Sequence, residues 1–157
     1  MKASCSLKLK LSLQFQAKMF SAHKALLTQT RITRWVRAAL LEHADLTIRF
    51  VDEQEGRTLN YRYRGRNYPT NVLTFSYGRL RNRTISGDLV LCCSVVENEA
   101  NEQYKPIDAH YAHLIIHGVL HAQGFDHTND KQARKMELIE KDALDRLGYL
   151  DPYIQRG

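Results

Sequence analysis

The hydrophobic period of this chain switches repeatedly between the value typical of a strand and the value typical of a helix. Apolar and polar residues alternate over 7–15 and again from Leu46 to Phe50, which is the pattern of strands with one buried face. Over 30–43, between these two segments, the apolar residues fall at helical spacing. Strands mixed irregularly with helices predict the α+β class, with a single mixed β-sheet packed by helices.

Capping and turn residues indicate where the other elements lie. Asp52 suits the start of a helix over 53–64, and Gly65 suits its end as a left-handed stop. Two further strands are predicted at Val72 to Tyr77 and at Asp88 to Cys92, separated by an exposed basic loop over 78–83. Three further helices are predicted: a short one opened by Ser94, one between Pro106 and Gly124, and one over about 130–147. The sheet therefore has about four strands, and the chain has about five helices.

The length and composition fit one soluble domain over residues 1–157. Hydrophobic residues make up 43% and charged residues 25% of the chain, which is a globular mixture. No apolar run approaches the roughly eighteen residues of a membrane span. Lys8 and Lys10 interrupt the N-terminal apolar residues, which argues against an export signal. Three cysteines, two of them adjacent, suit reduced thiols better than a disulfide framework, so we expect a cytoplasmic protein.

Basic residues are concentrated in one part of the chain. Twenty-three Lys and Arg against seventeen Asp and Glu leave a net charge of +6. The segment from Gly56 to Gly87 contains no Asp, Glu or Lys but seven arginines: Arg57, Arg62, Arg64, Arg66, Arg79, Arg81 and Arg83. This excess of positive charge indicates a polyanionic partner. Tyrosines interleaved with these arginines suit phosphate contacts and base stacking on a single-stranded nucleic acid.

Three histidines near residue 120 have the spacing of metal ligands. His117 and His121 are four residues apart, so on a helix both rings project from one face, one turn apart. Gly124 predicts the end of that helix, and the chain can then turn so that His127 returns toward the pair. Three neutral imidazoles suit one zinc ion and leave a fourth tetrahedral position open, which is typical of a catalytic site.

Other histidine sets and another enzyme class are weaker interpretations. His113 and His121 are eight residues apart, about 12 Å along a helix axis, which is too far to share one small ion. His110 and His113 are therefore expected to pack, to support the site or to face the substrate. The ligand spacing is also that of the metzincin peptidases, H-E-x-x-H-x-x-G-x-x-H, but Gly118 stands where those enzymes have their glutamate base. Peptidase chemistry is disfavoured for that reason.

A longer motif extends the histidine pattern. The chain reads His117-Gly118-Val119-Leu120-His121-Ala122-Gln123-Gly124-Phe125-Asp126-His127. This segment resembles H-G-x-L-H-L-x-G-Y-D-H, the signature of the YbeY family of bacterial endoribonucleases, with Ala122 in place of leucine and Phe125 in place of tyrosine. The resemblance covers about residues 45–153, because it extends to Tyr63-Arg64-Gly65, Pro69-Thr70-Asn71-Val72-Leu73-Thr74-Phe75, Gly87-Asp88-Leu89-Val90 and Asp151-Pro152-Tyr153.

The resemblance implies an activity, a cofactor and partners. It implies a zinc-dependent, single-strand-specific endoribonuclease with a metzincin-like zinc-binding helix. Such an enzyme acts in ribosomal RNA maturation, at the 3′ end of the small-subunit RNA, and in ribosome quality control. The implied partners are single-stranded RNA, ribosomal RNA and the small ribosomal subunit. The family's ligands for one zinc ion map onto His117, His121 and His127, and its functional arginine maps onto Arg64.

These residues divide into catalytic and substrate-binding groups. Arg64 and His117 are the expected catalytic residues, and Arg64 would clamp a phosphate through its planar guanidinium. The expected substrate-binding residues are Arg64, Arg79, Arg81 and Arg83. Asp126 is expected to orient a histidine, and proton transfer falls to activated water, the RNA 2′-hydroxyl or Asp126, because Gly118 offers no base. A non-catalytic zinc-containing ribosome-assembly factor and a metallopeptidase are the alternative hypotheses.

Overall fold

The computed structural model describes residues 6–16, 23–80 and 82–153. Within these residues the strands are β1 (Leu9–Phe15), β2 (Ala44–Val51), β3 (Val72–Arg79) and β4 (Ile85–Cys92). The helices are α1 (Gln29–Ala39), α2 (Glu53–Arg64), α3 (Cys93–Glu102), α4 (Ile107–Ala122) and α5 (Asp130–Arg146). The four strands form one sheet, so the predicted α+β class with a single mixed sheet is confirmed.

The sheet has the strand order β1-β2-β4-β3. β1 and β4 both run parallel to β2, whereas β3 runs antiparallel to β4 at one edge. The alternation of β2 places Leu46, Ile48 and Phe50 in the core. The mixed pairing follows from the connections, since α1 and α2 each intervene between strands whereas β3 and β4 are joined by a short hairpin.

Two hydrophobic clusters lie against the sheet. The larger cluster contains most of the buried residues of α1, α4 and α5. The smaller cluster contains Val51, Leu73, Val90 and Cys92, with Leu59 of α2 packed against it. Cys93 belongs to the larger cluster, and both Cys92 and Cys93 are buried free thiols, in agreement with the reduced thiols expected from the sequence. Among the described residues no helix is long and apolar enough to cross a membrane.

Several element boundaries differ from the predicted ones for local reasons. The first helix ends at Ala39 rather than near 43, because Leu40 is already extended and the Leu41 N–H donates to the Gln123 side chain at 2.7 Å. The third helix begins at Cys93, directly after β4, so the predicted Ser94 cap is wrong.

The hairpin between β3 and β4 is also shorter than predicted. β3 continues past Tyr77 to Arg79, and β4 begins at Ile85 rather than at Asp88. The predicted basic loop over 78–83 is therefore partly strand, and the remaining turn is closed by a hydrogen bond from the Leu80 N–H to the Thr84 carbonyl at 2.8 Å.

Candidate metal centre

Helix α4 lies between the sheet and the other helices, and it carries two of the three predicted ligands. It packs on β3 and β4 and contacts α1, α3 and α5. Gly118 faces the sheet, because a Cβ atom there would lie 2.6 Å from Leu89 Cδ2 and 2.9 Å from Leu89 Cγ. A glutamate at this position would collide with β4, so the helix approaches the sheet closely only with glycine. His117 and His121 lie to one side of Gly118, about 100° and 60° around the helix axis, on a partly exposed surface.

The chain reverses direction directly after α4. Gly124 has a φ of 100°, in the left-handed region that glycine adopts without strain. The Gly124 and Phe125 N–H groups donate to the last carbonyls of the helix, those of His121 and Leu120. The Asp126 carboxylate then accepts the backbone N–H of His127 at 2.7 Å. This turn brings His127 back to the helix, as the glycine stop predicts.

One nitrogen of each of the three imidazole rings lies close to the other two. Each of His117, His121 and His127 offers one ring nitrogen, and these nitrogens all lie within 4.8 Å of one another. The Nε2 atoms of His117 and His121 are 3.0 Å apart. Two nitrogens bound at about 2.0–2.1 Å to one tetrahedral ion are separated by roughly 3.3 Å. The rings are therefore arranged at close to the spacing that a shared zinc-sized ion needs.

Hydrogen bonds at the outer ring nitrogens determine which nitrogens face each other. His121 Nδ1 contacts the Phe125 carbonyl oxygen at 3.0 Å, and His117 Nδ1 contacts Glu140 Oε2 at 2.6 Å. Both oxygens accept, so in the neutral form of each ring Nδ1 carries the hydrogen and Nε2 carries a lone pair. Two lone pairs 3.0 Å apart repel each other unless a cation lies between them. Burial and the neighbouring His117 lower the pKa of His121, which favours its neutral, metal-binding form.

The donor set fits a metal ion held by three histidines. Within the described residues no further His, Cys, Asp or Glu joins the group. A site with three protein donors leaves coordination space for other ligands, whereas structural zinc sites commonly have four protein donors. The predicted ligands are therefore in place, and they could hold a metal ion.

A pocket of about 720 Å³ opens in front of the three histidines. Its wall includes Arg64, the last residue of α2, because Gly65 ends that helix with a left-handed φ of 70°. Polar side chains of β3 and of the segment before it, Thr70, Asn71, Thr74 and Ser76, line the same pocket. Arg64 and the ligand histidines are thus brought together from separate parts of the chain, as the resemblance implies.

Of the other predicted substrate-binding arginines, Arg79 and Arg83 do not line this pocket. Arg79 lies at the far end of β3, where its guanidinium makes two hydrogen bonds to Glu42, at 2.8 and 2.7 Å. Arg83 is exposed in the β3–β4 turn with a φ of 65°. Arg81 lies outside the described residues. The substrate-binding role of these three residues stays a prediction.

Two carboxylates, the half-buried Glu99 and the buried Glu140, contact His110 and His113 of the same helix. His110 Nε2 contacts Glu99 Oε1 at 2.8 Å, and His113 Nε2 contacts Glu140 Oε1 at 2.9 Å. Burial lowers the pKa of His113, so its ring is neutral near pH 7. His110 and His113 therefore have packing and supporting positions, as expected from the helix spacing.

The residue that orients a ligand ring differs from the expected one. Asp126 bonds a backbone N–H rather than an imidazole, and Glu140 of α5 contacts the His117 ring instead. The sequence contained a sign that Glu140 is buried. Glu140 falls four residues after Met136 and three before Ala143, inside the apolar stripe of α5. A carboxylate at a core position needs a buried partner.

Comparison with known proteins agrees with this geometry. Residues 13–148 match the YbeY family, described as Endoribonuclease YbeY. The Endoribonuclease YbeY of Paraburkholderia phymatum is 56% identical over 147 residues, which cover 93% of this chain and 96% of that protein. The Paraburkholderia phytofirmans protein of the same name is 54% identical over 147 residues, with the same coverage.

A solved structure shows the same fold. The solution structure of TM1509 from Thermotoga maritima matches with a TM-score of 0.55 at 21% identity, covering 92% of this chain and 99% of that one. The helix–glycine–histidine geometry, the family match and the relatives over nearly the whole chain agree with one another. This chain belongs to the YbeY family of endoribonucleases.

Proposed function

We propose that this chain, as a single domain over residues 1–157, is a zinc-dependent endoribonuclease that cuts single-stranded ribosomal RNA in the cytoplasm. The observation that carries the proposal is the convergence of three imidazole nitrogens in a pocket that also contains the Arg64 guanidinium. Membership of the YbeY family supports RNA as the substrate and a phosphodiester as the bond that is cut.

Zinc is the metal that the donor set favours. His117, His121 and His127 would hold it, and three imidazoles with an open position are a known catalytic zinc arrangement. When bound, the ion supplies a Lewis acid at the scissile phosphate. Glu140 and the Phe125 carbonyl keep the Nε2 atoms of two of these rings directed at each other, so little reorientation is needed to bind the ion.

Arg64 is placed to hold the phosphate. Its side chain is exposed on the pocket wall and forms no ion pair within the described part of the chain, so its charge is available. A guanidinium donates two parallel hydrogen bonds to phosphate oxygens and stabilises the negative charge of the transition state. This is the catalytic role that we assign to Arg64.

The contacts of the two nearby carboxylates show which of them is free to accept a proton. Glu140 is fully buried and already accepts hydrogen bonds from three donors, so it is not free to act as a base. Among the described residues that line the pocket, Asp126 is the one carboxylate. Asp126 is therefore the carboxylate placed to accept the proton of the nucleophile, whether the nucleophile is activated water or the 2′-hydroxyl of the RNA.

The surface around the pocket supports a single-stranded substrate. Four exposed tyrosines lie among the arginines of the 56–87 segment: Tyr61, Tyr63, Tyr68 and Tyr77. Unpaired bases stack on such rings, whereas paired bases cannot. A ribosomal RNA substrate and the small ribosomal subunit as a partner are proposed from family membership. The buried free thiols Cys92 and Cys93 suit the reducing cytoplasm.

Metal analysis combined with cleavage assays tests the proposal. We expect about one zinc ion per chain, cleavage of single-stranded RNA but not of duplex RNA or a peptide library, and loss of cleavage on chelation that added zinc reverses. His117→Ala should lose both zinc and cleavage. The exposed Arg34→Ala variant, on α1 away from the pocket, is the control and should retain both.

Two outcomes would contradict the proposal. Cleavage that persists in His117→Ala would reveal a contaminating nuclease rather than this protein's activity. A zinc-loaded protein that cuts neither RNA nor peptide would instead favour the assembly-factor hypothesis.

A further inference from the structure

Glu140 is a glutamate at a core position of α5, with none of its surface exposed. Its carboxylate accepts hydrogen bonds from His117 Nδ1 at 2.6 Å, from His113 Nε2 at 2.9 Å and from the Tyr153 hydroxyl at 2.5 Å. Both oxygens accept from these donors, and hydrogen bonds to a carboxylate favour its ionised form. The carboxylate is therefore charged, and its negative charge lies next to the ring of a candidate metal ligand.

The three donors approach Glu140 from different parts of the chain. His113 and His117 come from α4, one turn apart, and Tyr153 comes from the segment that follows α5. That segment is attached to α5 by an ion pair between Lys141 Nζ and Asp151 Oδ2 at 3.2 Å. Asp151 also accepts the Tyr153 N–H at 2.8 Å, which turns the chain so that the tyrosine hydroxyl reaches the carboxylate.

Tyr153 has a second contact that links it to the pocket. Its ring stands edge-on to His113 with centroids 5.5 Å apart, and it lines the same pocket as the three ligand histidines. The hydroxyl shares Glu140 Oε1 with His113, which leaves Oε2 to His117. Both oxygens of the carboxylate thus accept hydrogen bonds, and these bonds fix the orientation of the carboxylate.

We propose that Glu140 and Tyr153 are positioning residues of the metal centre, with Tyr153 orienting the Glu140 carboxylate and Glu140 holding His117 with its Nε2 lone pair toward the metal. The inference rests on the proposed role of His117 as a ligand. A carboxylate on the outer nitrogen fixes the tautomer of a ligand histidine and raises its basicity. The C-terminal segment therefore contributes to metal binding without contacting the ion.

Glu140→Gln separates this role from simple packing, because the two side chains have nearly the same shape. An amide offers one acceptor oxygen, and its NH₂ group would face a hydrogen-bond donor. We expect zinc affinity, measured by competition with a chromophoric chelator, to fall about 10- to 100-fold. Tyr153→Phe removes one donor and should weaken zinc binding by a smaller factor.

A second measurement reports on His117 without any metal. In metal-free protein at a pH where the ring is neutral, ¹⁵N–¹H long-range correlation spectra distinguish hydrogen on Nδ1 from hydrogen on Nε2. The unmodified chain should show His117 with hydrogen on Nδ1, and both variants should show a mixture of the two forms. Asp142→Asn, on the same helix but 71% exposed and paired with Arg146, is the matched control and should change neither measurement.

The outcomes separate this inference from the proposed function. If the unmodified protein binds no zinc, the proposed function fails. If it binds zinc, while Glu140→Gln and Tyr153→Phe bind equally well and keep hydrogen on Nδ1, the positioning role is overturned. If both variants melt at lower temperatures but zinc raises their melting temperatures as much as it raises that of the unmodified protein, these residues have a packing role alone. If Glu140→Gln does not fold, unchanged zinc affinity and tautomer in Tyr153→Phe overturn the proposal.

Discussion

His117, His121 and His127 are held in different ways. A charged carboxylate fixes the ring of His117, and a backbone carbonyl fixes that of His121. His127 is exposed, and its position is determined by the contact between its backbone N–H and Asp126. Two ligands are therefore preoriented by buried or backbone acceptors. The third ligand comes from a turn and can adjust when an ion binds.

Arg64→Ala should lower kcat/KM on single-stranded RNA by about 10²- to 10³-fold, because a preorganised donor to the transition-state charge is lost. Arg64→Lys should restore only part of this activity, since a lysine is a point charge and cannot make the two parallel hydrogen bonds of a guanidinium. Zinc content should remain unchanged in both variants. Full activity in the lysine variant would show that charge alone matters at this position.

At the scale of elements, the packing of α4 on the sheet explains why the chain has glycine at position 118, where metzincin peptidases have a catalytic glutamate. Position 118 faces the sheet, one residue away from His117, and its nearest neighbours are side-chain atoms of Leu89 and Thr74. Because Gly118 lets the buried face of α4 pack closely against the sheet, the rotation of the helix is fixed and its histidines face the pocket. Gly118 therefore has a packing role, in addition to standing where a metzincin peptidase has its glutamate base.

Gly118→Ala tests this packing role. The added Cβ would lie 2.6 Å from Leu89 Cδ2, so the substitution should destabilise the metal-free protein by about 1–3 kcal/mol in urea denaturation. Gly56→Ala in α2 is the matched control, because both glycines lie within helices and gain the same helix propensity. Its nearest contact would be 3.2 Å, to the Cys92 sulfur, so it should cost less. An equal loss in both variants would contradict the argument.

At the scale of the whole molecule, the candidate site is assembled from distant parts of the chain. Arg64 comes from the end of α2, the ligands from α4 and the turn after it, and Tyr153 from beyond α5. The arginine-rich segment from Gly56 to Gly87 includes most of α2, all of β3 and the hairpin, and its Arg64 lines the pocket. An extended polyanion can therefore contact the pocket and this surface together.

RNA binding to the metal-free protein, which should not cut its ligand, should weaken steeply as salt increases. Each phosphate contact contributes a slope of about −0.7 to log K against log salt for a single strand. Arg83→Ala should reduce the slope by about that amount, whereas Arg79→Ala should change it less because Glu42 already pairs with Arg79. Arg34→Ala on α1 is the control. Affinity that does not depend on salt would rule out a phosphate-binding surface.

Much of this architecture was determined by local patterns. Period-two alternation, helical spacing, strand propensity and capping residues together predicted every strand and helix of the described residues to within a few positions. Burying one face of an element imposes a period on its sequence, and a cap or turn residue marks where the element ends. The spacing of His117, His121 and His127 predicted the metal ligands for a similar reason, since a helix and a glycine turn suffice to bring them together. Arg64 required the family resemblance, because nothing local marks which of seven arginines reaches the pocket.

The tertiary structure decided what depends on contacts between distant elements. The sequence did not predict that Glu140 would contact His117 or that Tyr153 would contact Glu140. These hydrogen bonds, across 23 and 13 residues, depend on how α4, α5 and the segment after α5 pack. The structure also decided that Arg79 pairs with Glu42 instead of lining the pocket, and that α1 ends early at the Gln123 contact. By itself the sequence determined the elements and the clustering of the three candidate metal ligands, which are local. The orientation of these histidine rings depends on contacts between distant elements, which only the tertiary structure determines.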